Sequence, residues 1–295
     1  MLVSTLDALL AEAEGRVAPN VAALVLQDGA VRYARAPDRV FDLASLTKPL
    51  CTAELAMRAI SNGRIGLEDH HPILPPGVTV RHLLQHSSGW PAHERFYTRC
   101  ADRAALVAAV LATPPEAAPG ARHRYSDLGF IALGEVLAAV GVDDAGGMPL
   151  DALFARAWPD GALRFGMATV DDDNARVMGG VAGHAGLFGS ANAVGAAAMR
   201  WLRGDVPLAA RAFVERGPGT HALGWDTANA DGTSTAGANP PPDTVGHLGF
   251  TGTSLWFSPS TRRVSVLLTD RVAYGVDPAP IRALRRAFHG AAWVG

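Results

Sequence analysis

The segment FDLASLTKPL, residues 41 to 50, places a serine and a lysine three residues apart. Lys48 is the single lysine in a chain that carries 26 Lys and Arg residues in total. Residues i and i+3 are neighbours on one face of a helix, so Lys48 would lie beside Ser45. An amine, unlike a guanidinium, can lose its proton when it is buried or near another cation. The spacing therefore indicates a nucleophilic serine whose proton passes to a neighbouring base, although a helix start followed by a surface lysine is the alternative.

Composition narrows the class of protein. The 295 residues suffice for one large domain or two interleaved domains with a hydrophobic core. Hydrophobic residues make up 48% and charged residues 18% of the chain, as in soluble globular proteins. The formal net charge of −2 gives no basic surface for nucleic acid. The sequence contains no apolar run of about 18 residues, so no membrane partner is predicted.

The N-terminal residues and the cysteines bear on the compartment. The first twenty residues carry Asp7, Glu12 and Glu14 and lack a basic region, which predicts an amphipathic helix and not a signal peptide. Cys51 and Cys100 do not make a disulfide framework. A cytoplasmic location is predicted.

Strand-like and helical patterns follow one another in three blocks. Residues 21 to 36 predict two strands joined at Asp28-Gly29, a dipeptide typical of tight hairpins. Helical patterns fill the middle of the chain, and strand-like runs and a final helix follow residue 243. Because two or three strands alone are marginally stable, the two ends of the chain are expected to share one sheet.

This order predicts an α/β protein with an insertion. The sheet domain is assigned to residues 1–44 and 211–295, and the inserted helical domain to residues 45–210. A site is expected where the sheet meets the helices. Ser45 would begin the first inserted helix, where backbone N–H groups and the helix dipole stabilise an oxyanion.

Further motifs accompany the S-x-x-K segment, a pattern of β-lactamases and penicillin-binding proteins. The chain resembles the class C β-lactamase-like serine hydrolases, which include the family VIII esterases. The resembling segments, in the family's order, are HLLQHSSGWP (82–91), RYSDLGFIALGEVL (124–137), NARVMGGVAGHAGLFGSAN (174–192) and GHLGFTGTSLWFSP (246–259). The resemblance implies a β-lactamase/transpeptidase-like fold: an antiparallel sheet flanked by the N- and C-terminal helices, with an inserted, mostly helical domain.

The resemblance also implies catalytic roles. Ser45 is the nucleophile that becomes acylated, and Lys48 shares its proton. Tyr125 resembles the family tyrosine whose phenol bridges nucleophile and lysine. A nearby ammonium lowers the pKa of a phenol, so Tyr125 would act as base in acylation and as acid toward the leaving group.

Three residues of the late segment resemble the family's substrate-binding strand. His247 stands where β-lactamases carry lysine, as in the esterase and D-Ala-D-Ala peptidase members. Gly249 would leave the strand edge open to substrate. The backbone N–H groups of Ser45 and Phe250 match the oxyanion hole. This chemistry requires no metal and no organic cofactor.

Asp127 departs from the family's Tyr-x-Asn motif. Asn can donate to an amide carbonyl, whereas ionised Asp only accepts hydrogen bonds. An Asp close to Lys48 should also hold the amine charged, which favours Tyr125 as the base. The departure argues against efficient turnover of β-lactams or peptides.

Other motifs have structural interpretations. His82 and His86, at i and i+4, could bind zinc, but no third ligand is suitably spaced, so a helix-face or turn-stabilising role is predicted. The segment GGVAGHAGLFG resembles a phosphate loop without the following Gly-Lys-Ser/Thr, which favours close backbone packing. Asp171, Asp172 and Asp173 are predicted to form a solvated loop.

The sequence therefore predicts a serine hydrolase with an acyl-enzyme at Ser45. A carboxylesterase or amidase acting on a small-molecule ester or amide is favoured, because cell-wall peptides and antibiotics lie outside the cytoplasm. An acyltransferase to a small acceptor is the first alternative, and a sensor or binding domain that has lost turnover is the second. The sequence leaves the oligomeric state open.

Overall fold

The computed structural model describes residues 2–143, 146–229 and 233–294. In these ranges the α-helices, numbered α1 to α10, are Leu2–Ala13, Glu54–Ser61, Val80–Leu84, Arg103–Leu111, Asp127–Val140, Leu150–Ala157, Asp173–Val177, Ala191–Arg203, Ala209–Val214 and Pro278–Val294. The β-strands, numbered β1 to β8, are Val21–Gln27, Ala30–Arg35, Val40–Asp42, Phe188–Ser190, Asp226–Thr227, Val245–Leu248, Ser254–Ser258 and Arg263–Thr269. Helical segments of other pitch are the 3-10 turns Ala44–Leu46, Phe96–Thr98 and Arg271–Tyr274 and the π-helical segment Lys48–Ala53. Across the described ranges, every helix is too short or too polar to cross a lipid bilayer.

The larger sheet joins the two ends of the chain. Its strand order is β2-β1-β8-β7-β6-β5, and its neighbouring strands are antiparallel. β1 pairs with β8 along its whole length, from Val21 opposite Thr269 onward. At the β1–β2 hairpin, Asp28 and Gly29 have φ angles of 52° and 82°, as a two-residue turn of this hand requires. The predicted α/β class with an antiparallel sheet is confirmed.

Two compact units divide the chain, and the first contains this sheet. It comprises residues 1–46, 188–205 and 226–295. Alternate side chains of β1 enter different layers, as the two-residue period of a strand requires. Val25 packs with α1 and α10 in a core that includes Leu6 and Phe288. Leu24 instead lies under α8, where a Cβ built on Gly195 would be 2.6 Å from the leucine Cδ2.

The second unit is mostly helical and comprises residues 47–187 and 206–225. α5 lies at its centre and packs against α2, α3, α4 and α6. Apolar side chains cover most of the α5 surface, and its buried residues include Phe130, Leu133 and Leu137. A helix that is apolar nearly all round is expected at the centre of a helical unit.

The unit boundaries differ from the sequence-based division at 44/45 and 210/211. Residues 188–205 lie with the sheet unit, because β4 pairs with β3 and α8 packs on β1 and β8. Residues 206–225 lie with the helical unit. A three-residue strand such as β4 carries too little periodicity to be recognised in the sequence. Residues 1, 144–145, 230–232 and 295 of the predicted domains lie outside the described ranges.

Candidate active site

Ser45 lies in a 3-10 turn directly after β3 in the first unit. Two threonines of the segment that follows β6 hold the backbone entering this turn. Thr251 Oγ1 donates to the Asp42 carbonyl at 2.8 Å, and Thr253 Oγ1 donates to the Leu43 carbonyl at 3.0 Å. The two predicted parts of an oxyanion hole, the turn at Ser45 and the segment after β6, therefore belong to one hydrogen-bonded assembly.

Gly249 is required by close packing. A Cβ built there would lie 2.0 Å from Thr253 Oγ1 and 2.7 Å from the Leu43 carbonyl oxygen. The protein itself fills this space, so the interpretation that Gly249 opens the strand edge to substrate needs correction. The missing side chain instead lets the Ser45 turn approach β6.

The Phe250 N–H is available as a donor. Within the described ranges it donates to no acceptor, whereas the adjacent Gly249 N–H donates to the Thr253 carbonyl at 2.7 Å. The Phe250 side chain is half exposed. His247, two residues before Gly249, is buried in β6, and its Nδ1 donates to the Leu248 carbonyl at 2.9 Å.

Lys48 begins the π-helical segment of the second unit and is completely buried. Its Nζ donates to Asp127 Oδ1 at 2.7 Å and to the His184 carbonyl at 3.1 Å. The same Nζ lies 4.9 Å from the centroid of the Tyr125 ring. Three of the residues singled out in the sequence, Lys48, Tyr125 and Asp127, are thus brought together.

The electrostatics of this group favour a charged lysine. Burial alone would lower the pKa of the Lys48 ammonium, but the charges of Asp127 and Tyr125 outweigh burial, and the pKa is raised. Burial opposes ionisation of Asp127, yet the nearby Lys48 charge holds the pKa of that carboxyl well below its usual range. Both groups are therefore ionised at neutral pH, as expected for an Asp beside this amine.

His93 is a second partner of Asp127 that sequence reasoning missed. Its Nδ1 lies 3.2 Å from Asp127 Oδ2, and 44% of its side chain is exposed. The hydrogen bond with Asp127 raises the pKa of His93, although partial burial opposes this. Asp127 thus lies between a buried ammonium and a solvent-accessible imidazole.

The turn that carries Tyr125 and Asp127 is fixed by its backbone N–H groups, which donate to residues of the segment 86–92. The Ser126 N–H donates to His86 Nδ1 at 3.0 Å, and the Asp127 N–H donates to the Ala92 carbonyl at 2.8 Å. Asp127 is also the first residue of α5, where a negative charge complements the helix dipole. His86 stabilises this turn, in line with its predicted role.

His82 has the other predicted role, on a helix. It lies in α3, and its Nδ1 accepts from the Thr79 N–H at 3.1 Å, while the Thr79 side chain accepts from the His82 N–H. This reciprocal pair is a capping box, which satisfies donors at the start of the helix.

The Gly-rich segment GGVAGHAGLFG, residues 179–189, packs its backbone against α5 and against the π-helical segment that carries Lys48. A Cβ built on Gly183 would lie 2.0 Å from the Phe130 carbonyl oxygen, so only glycine allows this approach. The Gly183 carbonyl accepts from Thr52 Oγ1 at 2.6 Å, next to the His184 carbonyl that binds Lys48. Close backbone packing is therefore the role of this segment, as predicted.

Asp172 differs from its predicted place in a solvated loop. Its Oδ1 accepts from the Ala175 N–H at 2.7 Å and caps α7. The same oxygen lies 3.0 Å from Nε2 of the buried His184. Only the spacing of Asp172 before a short helix signalled this role, and an acidic run obscures that signal.

A buried histidine lies beside the Tyr125 ring. His221 Nδ1 is 3.0 Å from His123 Nε2, and the centroids of the His221 and Tyr125 rings are 5.8 Å apart. Burial, with a smaller effect of the His123 and Lys48 charges, lowers the pKa of His221 to about 3. The His221 imidazole is therefore neutral in the folded protein at neutral pH.

This shift predicts a pH-dependent stability. The folded state favours neutral His221, so its stabilisation is complete above pH ~6.5 and is lost as the pH falls from ~6.5 towards 3. Between pH 7 and pH 5 the loss is about 2 kcal/mol in the free energy of unfolding. Denaturant unfolding at both pH values should show a loss smaller by that amount in His221→Gln. An equal loss of stability in the wild type and in His221→Gln would contradict the prediction. His70→Gln, at an exposed position, is the control. A loss reduced as much in His70→Gln as in His221→Gln would also contradict it.

Comparisons with known proteins agree on one family. The Beta-lactamase family model matches residues 6–289. A D-alanyl-D-alanine carboxypeptidase-like protein of Escherichia coli (strain K12) is 26% identical over 79% of this chain and 69% of that protein.

Solved structures give the same result. A beta-lactamase from Mycobacterium bovis is 26% identical, with a TM-score of 0.68 over 94% of this chain and 97% of that chain. EstCE1, described as a hydrolase with promiscuous acyltransferase activity, is 22% identical, with a TM-score of 0.73 over 98% of each chain. At that identity EstCE1 shows likeness of fold alone. The resemblance and the fold inferred from the sequence are confirmed.

Proposed function

Because the chain belongs to the beta-lactamase family, we propose that it is a serine hydrolase that forms an acyl-enzyme at Ser45 and transfers the acyl group to water. The main support for the proposal is Lys48, which follows Ser45 by three residues in the sequence. Its ammonium is buried and lies beside the Tyr125 ring. A buried ion pair such as Lys48–Asp127 adds little net stability, so its presence favours a functional use of the charge.

The raised pKa of Lys48 supports Tyr125, rather than the already protonated amine, as the proposed base. Ser45 Oγ attacks the substrate carbonyl carbon, and its proton passes to the Tyr125 phenolate. The tetrahedral oxyanion accepts hydrogen bonds from the Ser45 and Phe250 N–H groups. The bond to the leaving alkoxide then breaks, and Tyr125 returns the proton to the alkoxide. Lys48 remains an ammonium, which favours the Tyr125 phenolate before it takes up the proton and again after it has returned the proton.

Deacylation reverses these proton transfers. Water replaces the leaving alcohol, gives its proton to Tyr125 and attacks the acyl carbon. Collapse of the second tetrahedral intermediate releases the acid, and the Ser45 oxygen recovers the proton from Tyr125. The cycle consumes one water and needs no other co-reactant.

Small esters are the proposed substrates. Asp127 offers only acceptor oxygens, and both are engaged, one by Lys48 and one by His93. An amide carbonyl would therefore find no donor at the position where the family carries Asn. The experiment is turnover of a panel of p-nitrophenyl esters by the purified protein. Lack of turnover with all esters would instead favour the binding or sensor alternative.

Replacing Asp127 with Asn should shift the preference toward amides. Asn offers an N–H to an amide carbonyl and removes the carboxylate that holds Lys48 charged. One or two hydrogen bonds should change the relative activation free energy for the two substrates by an amount on the order of 1–3 kcal/mol. The ratio of nitrocefin turnover to p-nitrophenyl acetate turnover should then rise roughly ten- to a hundredfold.

Two controls accompany this variant. His93→Gln keeps the Asp127 carboxylate and should leave the ratio within about twofold. Lysine labelled with 13C at Cε reports Lys48 alone, because the chain has a single lysine. Its titration should move to lower pH in Asp127→Asn. An unchanged or lower substrate ratio in a folded Asn variant would show that Asp127 does not set the preference.

Acyl transfer to a small acceptor is the second candidate. The same acyl-enzyme can react with an alcohol or amine in place of water, and a neighbour of this fold, EstCE1, is described as a hydrolase with acyltransferase activity. Adding alcohols to the ester assay separates the two. A transfer product that outcompetes hydrolysis at millimolar acceptor would favour the acyltransferase, and unchanged acid release would favour the hydrolase. The cytoplasmic location stays a prediction, which fractionation of the native cells tests.

A further inference from the structure

The turn after β6, residues 249–253, has a donor on each of its five carbonyls. Three of the donors are arginine and threonine side chains from later in the chain: Arg271, on the 3-10 turn after β8, Arg285, on α10, and Thr269, at the end of β8. The side-chain contacts are Arg285 Nη2 to Gly249 O (2.6 Å) and Thr253 O (2.8 Å), Arg285 Nε to Gly252 O (3.3 Å), Arg271 Nε to Phe250 O (2.9 Å) and Thr269 Oγ1 to Thr251 O (2.8 Å).

Arg285 is unusual among these donors. Its residue surface is only 5% exposed, and in the described ranges no carboxylate forms an ion pair with it. Burial, reinforced by the charges of Arg271 and Arg282, lowers the pKa of the Arg285 guanidinium to about 9, so it is charged at neutral pH. Burying a cation that binds only backbone carbonyls carries a desolvation penalty that lowers the stability of the folded state. Its charge therefore calls for an explanation beyond packing.

The shortest contact of Arg285, with the Gly249 carbonyl, explains why a charge is placed here. The Gly249 carbonyl and the Phe250 N–H belong to the same planar peptide group and point in opposite directions. The described ranges contain no cis peptide bond. A donor that fixes the direction of the Gly249 carbonyl therefore also fixes the direction of the Phe250 N–H. A hydrogen bond to a peptide carbonyl also polarises the group and strengthens its N–H as a donor.

Arg271 holds the other side of Phe250. It donates to the Phe250 carbonyl, and its guanidinium carbon lies 5.2 Å from the centroid of the Phe250 ring. The peptide groups on both sides of the Phe250 Cα are thus bound to cations. Rotation about either backbone bond of Phe250 would break one of these contacts.

We propose that Arg285 is a positioning residue for the oxyanion hole, which aims the Phe250 N–H at the developing oxyanion through the Gly249 carbonyl and places a buried positive charge behind it. The proposal rests on the proposed function, because it takes the Phe250 N–H as an oxyanion donor. Arg285 touches neither substrate nor the reacting atoms. Its effect is on transition-state stabilisation, so it should appear in kcat and not in KM.

The experiment compares an ester with its thiono ester, in which sulfur replaces the carbonyl oxygen and accepts hydrogen bonds poorly. An intact oxyanion hole prefers the oxygen compound. Arg285→Gln keeps an N–H donor group and removes the charge. We expect kcat for the ester to fall about tenfold to a hundredfold, as partial loss of an oxyanion donor would give. The ester to thiono ester ratio should fall at least about tenfold, because turnover of the thiono ester depends less on this donor.

The controls separate positioning from stability. Arg282→Gln removes an exposed cation from the same helix and should leave the ratio unchanged. Arg285→Lys keeps the charge with fewer donors and should give an intermediate ratio. If Arg285→Gln does not fold, the Arg285→Lys ratio decides. Thermal melts and circular dichroism establish whether each variant is folded. A wild-type ester to thiono ester ratio in either folded variant would overturn the inference but not the proposed hydrolase function. Wild-type protein that turns over neither ester would overturn the proposed function, and this inference with it.

Discussion

Replacing Ser45 with alanine is expected to abolish ester turnover and to leave the protein folded. The substitution removes the only atom proposed to bond to the acyl group, so the loss should be at least about 10⁴-fold in kcat, as for other serine nucleophiles. The Ser45 turn is held by the hydroxyls of Thr251 and Thr253, which donate to backbone carbonyls that the alanine side chain does not disturb. Thermal melts should therefore move little.

Fluorophosphonate labelling provides the matching measurement. Wild-type protein should gain one phosphonyl group, and Ser45→Ala should gain none. Ser61→Ala, an exposed serine at the end of α2, is the control and should behave as wild type. Label on another serine, or full activity in Ser45→Ala, would contradict the assignment of the nucleophile.

Lys48→Arg is expected to lose about a hundredfold or more in kcat, the size of effect typical for losses in proton-transfer machinery. The charge is retained, but the lysine lies in a fully buried space with Asp127 Oδ1 at 2.7 Å. A bulkier planar guanidinium cannot replace a compact ammonium there without displacing Asp127 or the Tyr125 ring. Overpacking should also cost about 1–3 kcal/mol of stability.

Arg203→Lys, at an exposed position at the end of α8, is the converse control and should leave turnover unchanged. The measurement is kcat for p-nitrophenyl acetate, with stability followed in parallel. Turnover in Lys48→Arg within about threefold of wild type would mean that any nearby cation suffices. The single lysine would then have no chemical explanation.

The larger elements of the fold could be predicted because each has a local signal. The β1–β2 hairpin carries Asp28-Gly29 at its turn, and α5 has apolar residues over nearly its whole length. The shared sheet followed from a physical argument, that a few strands at either end of the chain need each other. The strands β3, β4 and β5 were missed because they are two or three residues long. Their pairing is set by residues distant in the sequence.

The candidate site shows the same division. Ser45, Lys48 and Tyr125 are found through motifs, and the Asp127 departure correctly indicated an acidic neighbour for the lysine. His93 and His184 were not found, because each meets the Lys48 environment only through folding. No spacing in the sequence connects them.

Gly249 illustrates a residue found for the wrong reason. The motif singled it out, but a sequence cannot tell whether a glycine leaves space for a substrate or for another part of the same chain. Here Thr253 Oγ1 and the Leu43 carbonyl occupy the space. Arg285 is the converse case: one arginine among many in the sequence, distinguished only by its burial under three carbonyls.

The most direct test of the central claim is to trap the acyl-enzyme during ester hydrolysis and locate it. Protein mixed with a p-nitrophenyl ester is quenched in acid within the first turnovers, digested with trypsin and analysed by mass spectrometry. The proposed mechanism predicts one acyl group on the peptide 40–58, since trypsin does not cut between Lys48 and Pro49. Fragment ions should place that group on Ser45. Turnover with no adduct at any quench time, or an acyl group on another side chain, would contradict it.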